Sequence, residues 1–134
     1  MKNWHILVVE DEQDGGEVIS ELLAHFGVKT DVTANGEAGL ELLRTRCYDA
    51  AIIDLSLPGM NGLELLARIR KLDQCHDLPC IAFTAYHTSK VRKEALDSGF
   101  DDYLNKPVPF KTLLSKLREV ISARGAPAQP DQPT

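Results

Sequence analysis

The sequence predicts an α/β fold in which five βα units form a doubly wound three-layer sandwich. Short apolar runs alternate with segments of helical periodicity, and this βα pattern occurs five times along the chain. Strands that are joined through helices run parallel, and right-handed crossovers leave few topologies for them. The expected sheet order is therefore 2-1-3-4-5, with the functional crevice at the carboxyl ends of the strands, where strands one and three meet.

The five predicted strands are short and mostly apolar. We place them at residues 5–9, 28–32, 49–53, 79–83 and 101–104. Three of them are nearly continuous apolar runs, which is typical of strands that helices cover on both faces.

Three of the predicted helices have clear apolar stripes. The first ends before Gly27, a residue suited to a left-handed helix cap, and the second follows Asn61, with Glu64 three residues later as in a capping box. Two weaker helices, over residues 36–45 and 89–98, have few apolar positions. The stripes of the three clear helices consist of Val18, Ile19, Leu22, Leu23 and Phe26, then Leu65, Leu66, Ile69 and Leu72, and finally Phe110, Leu113, Leu114, Leu117, Val120 and Ile121.

Length and composition predict one folded domain. The chain has 134 residues, and we assign 1–124 to this domain and the small, polar, Pro-rich segment 125–134 to a disordered tail or linker stub. The longest apolar runs are far shorter than the roughly twenty residues needed to cross a bilayer. The amino terminus lacks the apolar stretch of a signal peptide, so we expect a cytoplasmic protein.

Charge and cysteine content argue against two further classes of protein. A net charge of −5 is not typical of a nucleic-acid-binding surface, so direct DNA or RNA binding is not expected. Cys47, Cys75 and Cys80 are an odd number without paired spacing, which indicates reduced cysteines used in packing.

Polar side chains follow four of the five predicted strands. Strand one leads into Glu10, Asp11 and Glu12, and strand three leads into Asp54. Strands four and five lead into the dipeptides at 84–85 and 106–107, Thr-Ala and Lys-Pro. The carboxyl ends of parallel strands meet at one edge of a sheet, so four carboxylates, a hydroxyl and an ammonium are expected near one cleft.

This ordered set of motifs resembles the response-regulator receiver family, the CheY-like proteins of two-component phosphorelays. The matching strings are VVEDE at 8–12, DLSLPGMNG at 54–62, TA at 84–85 and KP at 106–107. The resemblance covers almost all of the chain before the tail. It implies a flavodoxin-like fold and a phosphoryl-accepting aspartate, which is Asp54 here.

The resemblance also implies a magnesium ion in the cleft. Asp11 and Asp54 would bind the ion directly, Glu10 would bind through water, and the Ser56 carbonyl would supply a further oxygen. Two like charges about 4 Å apart repel by around 4 kcal/mol at an effective dielectric near 20, so a bare acidic cluster is unfavourable. Mg²⁺ relieves that repulsion and prefers oxygen ligands.

The remaining roles implied by the resemblance concern switching. Lys106 would pair with the acids at rest and with a phosphoryl oxygen after transfer, and a cis bond to the following Pro107 is plausible. Thr84 would move toward the phosphoryl group, and Tyr103 would then turn inward. We also expect the ring of Tyr86 to slow hydrolysis of the acyl phosphate.

The implied partners are proteins of the same signalling system. A histidine kinase or histidine phosphotransfer protein would donate the phosphoryl group, and a downstream effector protein would read the altered surface. The receiver would be a monomer or a phosphorylation-linked dimer, and not a turnover enzyme beyond slow autodephosphorylation.

Three other functions are considered for the same fold. A haloacid-dehalogenase-like phosphatase also forms an aspartyl phosphate, but it typically has a second acid where this chain has Ser56. A flavin or nucleotide module needs a Gly-rich or hydroxyl-rich loop after strand one, where this chain is acidic. The third alternative is a scaffold receiver that is never phosphorylated.

Overall fold

Five parallel strands form a single sheet in the order β2-β1-β3-β4-β5, as predicted. The structure is a computed structural model that describes residues 3–85 and 88–125, without the side chains of 13, 14, 124 and 125. The strands are β1 His5–Val9, β2 Lys29–Thr33, β3 Ala50–Asp54, β4 Cys80–Thr84 and β5 Asp102–Asn105.

Four strands begin and end one residue later than predicted, whereas β1 has its predicted bounds. The difference arises because polar residues at the carboxyl edge still take part in the ladder. Asp54 is the register partner of Phe83, and Thr84 is the partner of Asn105. The candidate nucleophile therefore belongs to the sheet itself and not to the loop after it.

Each strand is followed by a helix. The helices are α1 Gln13–Ala24, α2 Gly36–Thr45, α3 Gly62–Arg70, α4 Ser89–Asp97 and α5 Phe110–Gly125, and a short 3-10 turn spans Asp73–Cys75. Both weak helices of the sequence analysis are present. Asn61 accepts a hydrogen bond from Glu64 N while the Glu64 side chain accepts one from Asn61 N, so the predicted capping box is confirmed.

The core consists of two layers, one on each face of the sheet. Alternate strand residues point to opposite faces. On one face they pack against α1 and α5, and on the other against α2, α3 and α4. This covering of both faces explains why β1, β3 and β4 are almost entirely apolar.

The apolar stripe predicted for α1 is only partly in the core. Ile19 and Leu23 are buried, but Val18 is 53% exposed and Phe26 is 39% exposed. Gly27 has the predicted left-handed conformation, with φ of 76°. The helix itself ends at Ala24, because the chain must turn back toward β2 before the stripe is complete.

The predicted end of the domain differs from the structure by one residue. Helix α5 continues to Gly125, one residue beyond the predicted domain end, and the rest of the predicted tail, residues 126–134, lies outside the described residues.

Cys75 and Cys80 are buried, but Cys47 is exposed, so the packing role predicted for Cys47 is wrong. None of the helices within the described range is long and apolar enough to span a membrane.

Candidate functional site

Three carboxylates lie together at the carboxyl edge of the sheet. Glu10 and Asp11 directly follow β1, and Asp54 ends the adjacent strand β3. One oxygen from each of these side chains lies within 4.8 Å of the other two. Glu10 and Asp54 are buried, at 1% and 3% exposure, whereas Asp11 faces solvent. The structure thus brings together acids that are more than forty residues apart in the chain.

Lys106 forms ion pairs with the two buried acids. Its ammonium lies 2.7 Å from Glu10 Oε1 and 2.9 Å from Asp54 Oδ2, and it is 3.7 Å from Glu12 Oε1. Burial acts to lower the pKa of Lys106, but pairing with Glu10 and Asp54 outweighs it, so the pKa is raised. The Lys106–Pro107 peptide bond is cis, as the sequence analysis anticipated.

Backbone amides orient the acids further. Ser56 N donates to Asp54 Oδ1 at 2.9 Å, and Glu12 N donates to Glu10 Oε2 at 3.1 Å. Burial raises the pKa of Glu10, although the Lys106 contact opposes the shift. Both oxygens of Asp54 therefore accept hydrogen bonds, Oδ1 from the Ser56 amide and Oδ2 from Lys106.

A cavity of about 220 Å³ opens above these groups. It is lined by Asp11, Glu12, Asp54, Ser56, Ala85 and Lys106. The start of α3 packs closely against the end of β3, beside this cavity, because position 62 is glycine. A Cβ atom on Gly62 would lie 2.6 Å from the Asp54 carbonyl oxygen and 2.8 Å from Leu55 Cα. Gly62 is the last residue of the motif at 54–62, and that motif alone predicted no role for it.

Thr84 and Tyr103 lie on the same face of the sheet, on the side of α4. Thr84 is 1% exposed and Tyr103 is 8% exposed. Ala82 is the register partner of Tyr103, which places Tyr103 diagonally beside Thr84. The Tyr103 hydroxyl is buried and has no hydrogen-bond partner among the described residues. The ring is therefore already inward while Lys106 is paired with Asp54.

The sequence analysis missed two features next to the acids. The ring of Phe83 lies under the Lys106 ammonium, with 4.8 Å between Nζ and the ring centroid. A second cavity of about 500 Å³ lies between α1 and the loop after β5, and its lining is mainly apolar. It is lined by Glu12, Gly15, Val18, Ile19, Leu22, Phe83, Ala85, Lys106, Pro107 and Val108. Tyr86, predicted to control hydrolysis, lies outside the described residues.

Comparison with known proteins agrees with this geometry. The profile of the "Response regulator receiver domain" family matches residues 6–118. The chain belongs to this family. Receiver domains of two-component response regulators share its parallel sheet and strand order, so the predictions of fold class and of receiver function are confirmed.

The chain covers about half of some relatives and most of others. The chain is 38% identical to the response regulator ArlR of Staphylococcus epidermidis over 117 residues, which are 87% of this chain and 52% of ArlR. It is 40% identical to an uncharacterized 14.6 kDa protein in the sodA1 3′ region of Leptolyngbya boryana, over 88% of this chain and 90% of that protein. The chain thus spans about half the length of regulators such as ArlR.

Solved structures extend the likeness to receivers within kinases. The receiver domain of sensor histidine kinase PA1611 from Pseudomonas aeruginosa matches with a TM-score of 0.83 and 30% identity, covering 90% of this chain and 99% of that one. In that structure a magnesium ion is coordinated in the active-site cleft. A response regulator from Chloroflexus aurantiacus matches with a TM-score of 0.86 and 27% identity, over 90% of this chain and 99% of that one.

Proposed function

We propose that this receiver accepts a phosphoryl group on Asp54 in a magnesium-dependent reaction. The observation that carries the proposal is the contact of Lys106 with both Asp54 and Glu10, at 2.9 Å and 2.7 Å, at the edge of an acidic cavity. A buried carboxylate that shares its cation with a neighbour is available to attack once that cation moves to the incoming anion.

The transfer forms one bond and breaks another. An Asp54 carboxylate oxygen bonds to phosphorus, and the bond between phosphorus and the leaving group breaks with its electron pair going to the leaving group. From phosphohistidine the leaving group is the imidazole, which takes up a proton. Lys106 then moves from the Asp54 carboxylate to a phosphoryl oxygen, where it pairs with the new negative charge.

The donor set fits a magnesium ion. Glu10, Asp11 and Asp54 present hard oxygen atoms, and the Ser56 carbonyl would supply another. Ligands at about 2.1 Å from one ion are at most about 4.2 Å apart, and the three carboxylate oxygens lie within 4.8 Å of one another, which is close to that limit. In the proposed site Asp11 and Asp54 would bind the ion directly and Glu10 would bind it through water. When bound, the ion offsets negative charge on the acids and on the phosphoryl group.

Thr84 and Tyr103 form the proposed switch. The Thr84 hydroxyl would donate to a phosphoryl oxygen, and its displacement would change the space beside Tyr103 on the same face of the sheet. The Tyr103 ring is already buried while Lys106 is paired with Asp54. Phosphorylation would therefore move Lys106 and Thr84, and it would stabilise the conformation in which Tyr103 stays buried. The surface of α4, β5 and α5 would then bind the downstream effector.

The apolar groove along α1 supports the assignment of the phosphodonor. It shares Glu12, Ala85 and Lys106 with the acidic cavity, so a helix lying in it would be adjacent to Asp54. Val18 and Leu22 line the groove, and Val18 is 53% exposed, so it would offer apolar surface to such a helix. We assign this groove to a helix of the histidine kinase or histidine phosphotransfer protein, whose phosphohistidine would reach the cavity.

The proposed receiver is a single protein-binding unit. We propose that this unit extends through the end of α5 at Gly125, and that residues 126–134 are a tail or linker. The protein acts in the cytoplasm, as a monomer or a phosphorylation-linked dimer. It contacts proteins and not DNA or RNA. Beyond slow loss of its own phosphoryl group it catalyses no turnover.

The decisive experiment is incubation with acetyl phosphate and Mg²⁺, followed by intact-mass measurement. The native chain is expected to gain one phosphoryl group, and chelator or Asp54→Asn is expected to prevent the gain. Asp97→Asn, which removes a carboxylate on exposed α4, is the matched control and is expected to behave like the native chain. A gain that persists in Asp54→Asn would contradict the assignment of the acceptor.

A further inference from the structure

Phe83 is fixed beside the candidate nucleophile by the sheet itself. It precedes Thr84 in β4, is 4% exposed, and is the register partner of Asp54. Leu55 N donates to the Phe83 carbonyl at 3.0 Å, so the ladder continues directly past Asp54. The side chains of register partners in neighbouring parallel strands point to the same face of the sheet. The Phe83 ring and the Asp54 carboxylate therefore lie on the same face.

The ring completes the surroundings of the Lys106 ammonium. Asp54 accepts a hydrogen bond from this ammonium at 2.9 Å, and Glu10 forms an ion pair with it at 2.7 Å. Glu12, at 3.7 Å, is too far for a short hydrogen bond. The Phe83 ring centroid is 4.8 Å from Nζ, within the range in which a cation is attracted to the π face. The Lys106 side chain is 17% exposed, so water screens this attraction only weakly.

We propose that Phe83 is a positioning residue for phosphoryl transfer, holding the Lys106 ammonium over Asp54 while its carboxylate contacts change. This inference rests on the proposed phosphorylation of Asp54. The carboxylate contact is lost when Asp54 is modified, but the ring carries no charge and keeps the same attraction for the ammonium before and after transfer. Phe83 therefore restricts Lys106 to the region that the phosphoryl oxygens enter.

A double-mutant cycle separates this role from simple packing. Phe83→Leu is expected to slow phosphorylation by acetyl phosphate about tenfold, as loss of a partly desolvated cation–π contact implies. Lys106→Met has no ammonium for the ring to hold, so adding Phe83→Leu to Lys106→Met is expected to change the rate by less than about twofold. Phe83→Tyr keeps the ring and is expected to restore most of the native rate. Rates are read by intact mass.

The outcomes discriminate between failure of the proposed function and failure of the positioning role alone. If the native chain gains no phosphoryl group, the proposed function fails and the positioning role fails with it. The native chain could be phosphorylated while Phe83→Leu slows the reaction by the same factor in the native chain and in Lys106→Met. In that case only the positioning role is overturned. The positioning role is likewise overturned if Phe83→Tyr is as slow as Phe83→Leu.

Denaturant unfolding of the native chain, the two single variants and the double variant gives a second test that does not depend on phosphorylation. If the ring attracts the ammonium, the effects of Phe83→Leu and Lys106→Met on the unfolding equilibrium constant are expected to differ from additivity by about fivefold or more. Additive effects would overturn the contact on which the role depends. Phe83→Met, which fills the core with a flexible apolar side chain, replaces Phe83→Leu if the leucine variant does not fold.

Discussion

Lys106 and Asp54, which are 52 residues apart in the chain, are joined by a hydrogen bond of 2.9 Å at the carboxyl edge of the sheet. The same ammonium reaches Glu10, so one cation is shared by two buried anions from two strands. This sharing holds the ends of β1, β3 and β5 together. It also means that any change at Asp54 alters the partner of Lys106, which links modification of one side chain to the arrangement of three strand ends.

Loss of the shared cation is expected to destabilise the fold strongly. Lys106→Met leaves the carboxylates of Glu10 and Asp54 buried without this cation, and removing one member of a buried ion pair costs roughly 3 kcal/mol or more of unfolding free energy. The measurement is urea unfolding in chelator at neutral pH. Lys93→Met removes the exposed Lys93–Asp97 pair and is the control, with little change expected. Equal stability of the two variants would contradict the shared-cation description.

The parts of this site that the sequence predicted are those that topology determines. Once five βα units are recognised, the carboxyl ends of all strands must share one edge, which brings Glu10, Asp54, Thr84 and Lys106 together. The Phe83 contact was not predictable in this way. It depends on the register between β3 and β4 and on a side-chain conformation, and no local pattern specifies either.

The apolar stripe predicted for α1 failed in part because periodicity does not distinguish a buried face from an exposed apolar one. The apolar stripe of α1 is regular, but the sheet covers only the side that carries Ile19 and Leu23, which leaves Val18 and Phe26 exposed. The inward turn of Tyr103 after phosphorylation stays a prediction, although its ring is already buried in this structure. Its position is set by packing with neighbours on the α4 face, and a linear motif contains no information about that packing.

Gly62 is expected to be intolerant of a side chain. Gly62→Ala places a Cβ atom 2.6 Å from the Asp54 carbonyl oxygen, so the start of α3 must shift away from Asp54. We expect a loss of roughly 1–3 kcal/mol in unfolding free energy and slower phosphorylation by acetyl phosphate. Gly36→Ala is the matched control because Gly36 also begins a helix, and its Cβ would meet only the flexible side chain of Met60, at 3.0 Å. Similar losses in both variants would show that the close approach at Asp54 is unimportant.

The buried hydroxyl of Tyr103 is expected to reduce stability. It has no hydrogen-bond partner among the described residues, and leaving such a group buried costs roughly 1–3 kcal/mol. Tyr103→Phe is therefore expected to raise the unfolding free energy in the absence of phosphoryl donors, measured by urea unfolding. Tyr48→Phe is the opposite control, since it removes a hydroxyl that donates to Asp31 at 2.5 Å and is expected to lower stability. A loss of stability in Tyr103→Phe would indicate that its hydroxyl has a partner.

Tyr48 also predicts a pH dependence at the end of the sheet opposite the acids. Burial, together with the hydrogen bond to Asp31, raises the pKa of Tyr48 to about 12 from 10.0. Because the folded-state pKa is raised, this contribution to stability is fully present below pH 10 and is lost as pH rises through about 12. Phenolate absorbance of the native chain minus that of Tyr48→Phe is expected to report this late titration. Asp31→Asn is expected to move it to lower pH, and no movement would contradict the assigned cause.

The α1 groove is expected to matter for a protein phosphodonor and not for a small one. Substituting Val18 and Leu22 with serine removes apolar surface that lines the groove and that a docked helix would bury, while the Asp54 cavity keeps all of its lining residues. Phosphotransfer from the histidine kinase or phosphotransfer protein that modifies the native chain is expected to fall about tenfold or more, in keeping with a loss above 1 kcal/mol. The rate with acetyl phosphate is expected to stay within about twofold, since that donor needs no docking surface. Val32→Ser is the control, because Val32 is 41% exposed but lies on the edge strand β2, outside the groove. If Val32→Ser slows protein-mediated transfer as much as the groove variants do, the donor docks elsewhere.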